Sequence, residues 1–171
     1  MLLTGLPVIF NLLYGTGFES GDDERTTVTV EDGHGWQNGT NYFFNDIGVE
    51  IYADVYSYLS LNKLTGYDGL LGPVKDVSLV AGLNISNKPE NDNFKAYLLG
   101  LSFNLGNFLF DYLQLDITAY KADDISRKYG IQITPVWSMQ FEIAAIKFKF
   151  RGFTDFRTGN TNVSGNFHML A

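Results

Sequence analysis

The chain has no cysteine, only four prolines and two tryptophans, and no apolar run long enough to cross a bilayer as a helix. Without cysteine there are no disulfides, no thiolate nucleophiles and no cysteine-ligated metals, which suits a chain crossing an oxidising compartment unpaired. The most apolar stretch, MLLTGLPVIFNLLYG at the start, is interrupted by Pro7 and Asn11. It falls short of the roughly 20 residues a membrane helix needs. It also has neither the basic n-region nor the small-residue cleavage site of a secretory leader. Basic residues are scarce: 12 Lys and Arg stand against 19 Asp and Glu, for a net charge of −7. Such a balance argues against nucleic acid as a partner, because neutralising phosphates takes a basic face.

Catalytic patterns are scarce too. The two histidines, His34 and His168, are far apart in sequence and give no metal-ligand spacing. GTGFESG has the spacing GxGxxxG and precedes a strand-like segment, so it is not a dinucleotide-binding loop. No serine elbow occurs. Carboxylates such as Asp54 and Asp116 could in principle hydrolyse glycosides, but nothing fixes their separation. No enzyme activity, cofactor or metal is expected.

What the sequence does have is aromatic residues, at 15%, and alternation with a period of two. In IYADVYSYLSLN, Ile51, Ala53, Val55, Leu59 and Leu61 fall on one side, and Tyr52, Asp54, Tyr56, Tyr58 and Asn62 on the other. YLQLDITAY sets Leu113, Leu115, Ile117 and Ala119 against Tyr112, Gln114, Asp116, Thr118 and Tyr120. IKFKFR sets Ile146, Phe148 and Phe150 against Lys147, Lys149 and Arg151. Successive strand side chains point to opposite faces, so each segment has one apolar and one polar face. No segment reads as an amphipathic helix. About ten strands are expected, near 7–14, 26–32, 41–48, 50–62, 75–85, 94–106, 111–121, 129–136, 139–155 and 162–170. Several exceed the usual 5–6 residues and match the roughly 9–11 of a strand tilted across a bilayer.

The connections differ in kind. GTGFESGDDER, NKPENDN, KADDISRK and TGNTNVSGN are hydrophilic, whereas DGHGWQNG, GNFLF and PVWS are tighter or more apolar. Outer-membrane barrels have short periplasmic turns on one rim and longer external loops on the other. A periplasmic N-terminus places all four polar loops outside, with TGYDGLLGPVKD as one long periplasmic join. Within DGHGWQNG, Asn38-Gly39 predicts a type I′ hairpin, Trp36 an interfacial anchor, and His34 a turn residue without a partner.

The stretch LLYGTGFESGDDERTTVTVEDGHGWQNGTNYFFNDI resembles the opening of the Tsx-type nucleoside channels of the Gram-negative outer membrane. LSLNKLTG, GPVKD and GFTDF resemble later landmarks of that family, in order, so the resemblance spans most of the chain. It implies an all-β fold, an antiparallel transmembrane β-barrel of outer-membrane type with twelve strands, and a narrow aromatic-lined pore for nucleosides. Residues 1–171 would then be a single barrel domain, truncated at the C-terminus, with the N-terminus a second candidate for truncation, since the family's leader and an aromatic final strand are not seen.

On that reading the apolar faces meet lipid and the polar faces line the pore. The candidate pore-lining residues are Phe43, Phe44, Asp46, Asp54, Tyr56, Tyr58, Asp116, Lys147, Lys149, Arg151 and Asp155, with Glu31 nearby. Aromatic rings can stack on a base, and carboxylates and cations can bond ribose hydroxyls. The resemblance points first to Asp46 and Asp54 as substrate contacts. The same charges could instead only pair with one another and stiffen the wall, and the tyrosines could be interfacial. Expected partners are nucleosides or similar small polar solutes, outer-membrane lipid, and phage or toxin at the external loops. Two alternatives stay open: a soluble lipocalin-like barrel for an apolar ligand, and a non-conducting structural or receptor barrel.

Overall fold

The computed structural model describes residues 4–5, 8–16, 24–67, 72–87, 93–106, 109–123, 129–158 and 164–170. Its elements are β1 (Thr4–Gly5), β2 (Ile9–Thr16), β3 (Glu24–Trp36), β4 (Gly39–Ile47), β5 (Ile51–Ser60) and α1 (Leu61–Thr65). They continue with β6 (Val74–Asn87), β7 (Phe94–Leu105), β8 (Tyr112–Ala122), β9 (Gly130–Ile143), β10 (Ile146–Arg157) and β11 (Ser164–Leu170). From β3 onward each strand pairs antiparallel with the next, while β1 and β2 lie end to end along β3. The protein is all-β: one antiparallel sheet curled into a half-barrel, with α1 the only helix among the described residues.

Register shows how the sheet is staggered. Successive hydrogen-bonded partners run Thr40, Tyr58, Val80, Gly100, Thr118, Gln132 and Arg157. That row starts beside the β3–β4 turn and ends at the opposite end of β10. The strands are therefore strongly tilted to the axis of curling, the stagger that barrel geometry demands.

Alternation has sorted the side chains in an unusual sense. The concave face buries polar groups, among them Thr29, Glu31, Asp54, Asn84, Ser102, Asp116, Gln132 and Asp155. The convex face exposes aliphatics, with Leu12 at 76%, Leu99 at 66% and Ile131 at 50%. Towards the α1 end the convex face carries Trp36 and the stacked pair Phe141 and Phe148, whose centroids are 5.4 Å apart. Towards the other end it carries exposed Tyr14, Tyr97 and Phe156. Inside, one small apolar patch of Ala96, Leu98, Tyr120 and Ala122 packs against Tyr56.

Several local expectations are corrected. PVWS is not a join: β9 runs through it, with Pro135 opposite Leu115 of β8. Proline donates no hydrogen bond, and the β9–β10 ladder is interrupted between the pairs Phe153↔Val136 and Phe156↔Ile133. The turn comes later, at Ala144 and Ala145, both left-handed with φ of 50° and 65°. The type I′ geometry expected at Asn38-Gly39 is therefore found at an alanine pair. At the first hairpin the turn residues are Gln37 and Asn38, and neither they nor Gly39 has positive φ. Gly39 is required there for space, since a Cβ would stand 1.9 Å from the Tyr58 carbonyl oxygen. Accordingly His34 and Trp36 belong to β3 rather than to a turn.

β5 ends at Ser60, two residues earlier than expected, because Ser60 caps α1: its side chain accepts from the Lys63 amide at 3.1 Å. Gly66, left-handed at φ 68°, closes the helix. Of the four polar loops, residues 17–23, 88–92, 124–128 and 159–163 lie outside the described residues. No described helix is long and apolar enough to cross a membrane, which says nothing of strands.

Candidate functional site

The curl brings the polar faces of distant strands together around a cavity of about 650 Å³. β3 and β10 meet across it. Arg151 of β10 grips Glu31 of β3 with two contacts of 3.0 Å, one from each terminal nitrogen to each carboxylate oxygen. The two side chains are 19% and 9% exposed, so the pair is largely withdrawn from water. Below it, Phe44 and Phe153 meet edge to face at 6.2 Å. Among the described residues these contacts, rather than a backbone ladder, join the two arms of the half-barrel.

A second group sits on β5, β6, β9 and β10. Asp155 accepts from Thr134 Oγ1 at 2.7 Å, from Gln132 Nε2 at 3.0 Å and from Arg157 Nη2 at 3.1 Å. Arg157 also donates through Nε to Gln132 Oε1 at 2.7 Å and lies 4.8 Å over the Tyr120 ring. Asp54, 3% exposed, faces the Asn84 amide. Turned with its nitrogen towards Asp54 (3.2 Å) and the Tyr56 hydroxyl (3.0 Å), that amide receives Arg157 Nη2 on its oxygen at 3.3 Å. All of these groups are then satisfied, as buried polar groups must be.

The third group joins β5 to β8. Tyr58 donates to Asp116 Oδ2 at 2.9 Å, and Gln114 donates to Asp116 Oδ1 at 2.8 Å. Tyr112 in turn donates to Gln114. Tyr58 stacks on Tyr56, centroids 6.2 Å apart. The Tyr56 ring covers Gly82 of β6, where a Cβ would stand 2.5 Å from the ring. Glycine at that position is what lets the ring lie flat against the wall.

Of the candidate residues, Phe44, Asp54, Tyr56 and Tyr58 line the cavity from β4 and β5. Asp116 lines it from β8, and Lys149, Arg151 and Asp155 from β10. Asp46 shares the concave side, bonded to Thr29 Oγ1, and Lys147 stands opposite Glu142 near the β9–β10 turn, but neither borders the cavity. Phe43 is carried on the other face, paired with Val55. His34 also lies on that convex side and does have partners: its Nδ1 is 3.1 Å from Asp32 Oδ2 and its Nε2 is 3.4 Å from Asn41 Nδ2.

Several cavity and wall residues went unforeseen: Tyr42, Lys63, Asn84, Gln132, Thr134, Phe153 and Arg157. For some a signal existed. Asn84 continues the series Ser78, Val80, Gly82 against Leu79, Ala81, Leu83, and Arg157 follows Asp155 at the strand period. Lys63 had none, because its place depends on where α1 falls. Among the described residues no group of three or more His, Asp or Glu could hold a metal ion. No protein-family model matches the chain, and no curated protein matches it.

Proposed function

We propose that the chain forms the wall of an outer-membrane channel of Gram-negative bacteria, through which nucleosides or similar small polar solutes diffuse passively. One observation carries the reading: the concave face is polar and withdrawn from water while the convex face exposes Leu12, Leu99, Ile117 and Ile131. A barrel in water has the opposite need. Bilayer hydrocarbon takes aliphatic side chains outside and leaves a polar lumen within. Strand length agrees: β6 and β9 have 14 residues each. At about 3.3 Å per residue and a tilt near 40°, such strands rise roughly 35 Å, enough for the hydrocarbon core. Aromatic residues near both ends of the convex face, Trp36, Phe141 and Phe148 against Tyr14, Tyr97 and Phe156, suit the two headgroup levels. Tyr56 and Tyr58, both partly exposed, offer faces for stacking a base, and Asp54 and Asp116 line the same cavity as acceptors for sugar hydroxyls.

The test is planar-bilayer conductance of the detergent-folded protein under titration with adenosine. A small conductance blocked by adenosine, with block weakened in Asp54→Asn, is the expected result. Conductance indifferent to nucleosides would remove the substrate class. A second reading, a soluble barrel for an apolar ligand, rests on the inner patch of Ala96, Leu98, Tyr120 and Ala122. A compact fold in plain buffer without detergent would favour it.

A further inference from the structure

The charges of the cavity wall are not all spent alike. Glu31 is held by Arg151, Asp155 by Arg157 with Thr134 and Gln132, and Asp116 by Tyr58 and Gln114. Asp54 faces Asn84, and Asp76, beside the cavity mouth, accepts from Ser60 and Ser78. Each carboxylate named is thus committed to a donor of the wall. Two cations that border the same cavity are not. The ammonium groups of Lys63 and Lys149 have no hydrogen-bond or ion-pair partner among the described residues.

Both cations belong to the α1 end of the half-barrel. Lys63 is carried by α1 itself, and Lys149 stands three residues into β10 from Ile146, just past the Ala144–Ala145 turn. Helix α1 is fixed there by the Ser60 cap and by Asn62 Nδ2, which donates to the Lys75 carbonyl at 3.0 Å. Two like charges, both on exposed residues at the border of one cavity and neither paired with an acid among the described residues, raise the local potential for an anion, even in a chain of net charge −7. Farther in stand the Tyr56–Tyr58 stack and the carboxylates of Asp54 and Asp116.

Resting on the channel reading above, we propose that Lys63 and Lys149 form an anion-binding vestibule at the α1 mouth, which selects solutes carrying an anionic group beside an aromatic, hydroxylated body. A nucleoside monophosphate has that chemistry. Its phosphate meets the two ammonium groups and its base the tyrosine rings. The cavity, about 650 Å³, lies within the roughly 300–1,000 Å³ usual for small-molecule sites.

The experiment is calorimetric titration of the detergent-folded full chain with adenosine and with adenosine monophosphate, at low and at high salt. The expected result is monophosphate binding about tenfold tighter than adenosine at low salt, with the preference shrinking as salt screens it. In the double variant Lys63→Gln, Lys149→Gln the ratio of the two affinities falls to about one, while the strand signal in circular dichroism confirms folding. A wild-type ratio near one, or a ratio unchanged in the folded double variant, overturns the vestibule and leaves the nucleoside channel standing. Absence of binding by either compound, together with no adenosine block of conductance, overturns both. Lys63→Arg alone, which keeps the charge, should retain the preference, and its loss there would also count against a charge-based site.

Discussion

Arg151 and Glu31 stand 120 residues apart in the chain and within 3.0 Å in space. Removing one partner of a pair this withdrawn from water leaves the other charged and unsatisfied. We expect Glu31→Gln or Arg151→Met alone to destabilise the folded protein by about 3–5 kcal/mol, and the two together by much less. Denaturant midpoints of the four proteins in a double-mutant cycle measure this, and additive losses would show that the pair does not hold the arms together. At this scale the sequence was informative about sides and silent about partners. Alternation put Asp54, Tyr56 and Tyr58 on one face of β5 and Lys149 and Arg151 on one face of β10. That Arg151 chooses Glu31, and Tyr58 chooses Asp116, depends on how far the sheet curls. No local pattern encodes that. Phe43 and Phe44 show the remaining ambiguity: in an aromatic run of three, parity decides which ring enters the lumen, and parity is fixed only by register.

Strands were legible because period-two alternation is strong, and their ends were less so because turn chemistry is degenerate. Pro135 looked like a break, yet the ladder bridges its missing donor at a local gap between β9 and β10. The real turn uses two alanines at φ of 50° and 65°, where glycine, asparagine or aspartate is the usual choice. L-residues pay roughly 1–2 kcal/mol there and glycine nearly nothing, offset partly by glycine's greater unfolded-state entropy. Replacing Ala145 by glycine should therefore raise stability by about 0.5–1 kcal/mol. An unchanged or lowered unfolding midpoint would mean that the turn does not hold the left-handed geometry. The opposite case is Gly82, where Gly82→Val would push the Tyr56 ring off the wall and break its contact with Asn84. A change in tyrosine near-ultraviolet dichroism, with strand content intact, is the expected readout.

For the whole molecule, the question is which solvent each face meets. Leu99 is 66% exposed at the middle of β7, on the convex side. If that side meets hydrocarbon, Leu99→Arg should cost about 2–4 kcal/mol and impair folding into detergent or lipid. If it meets water, the same change should shift stability by no more than about 0.5 kcal/mol. Equal stability of the two proteins would therefore remove the membrane reading along with the channel. The period-two alternation, a property of the sequence alone, determined an all-β chain with one polar and one apolar face per strand. Which face turns inward was not determined by it, since alternation is symmetric between a barrel in water and one in lipid. The tertiary structure decided it through curvature: the sheet bends towards its polar side, where Arg151–Glu31 and Phe44–Phe153 close the gap between β3 and β10. The same curvature gathers the committed carboxylates and the two uncommitted lysines around one cavity, a juxtaposition of residues up to 124 positions apart in the chain, Glu31 to Asp155, that only long-range pairing can produce.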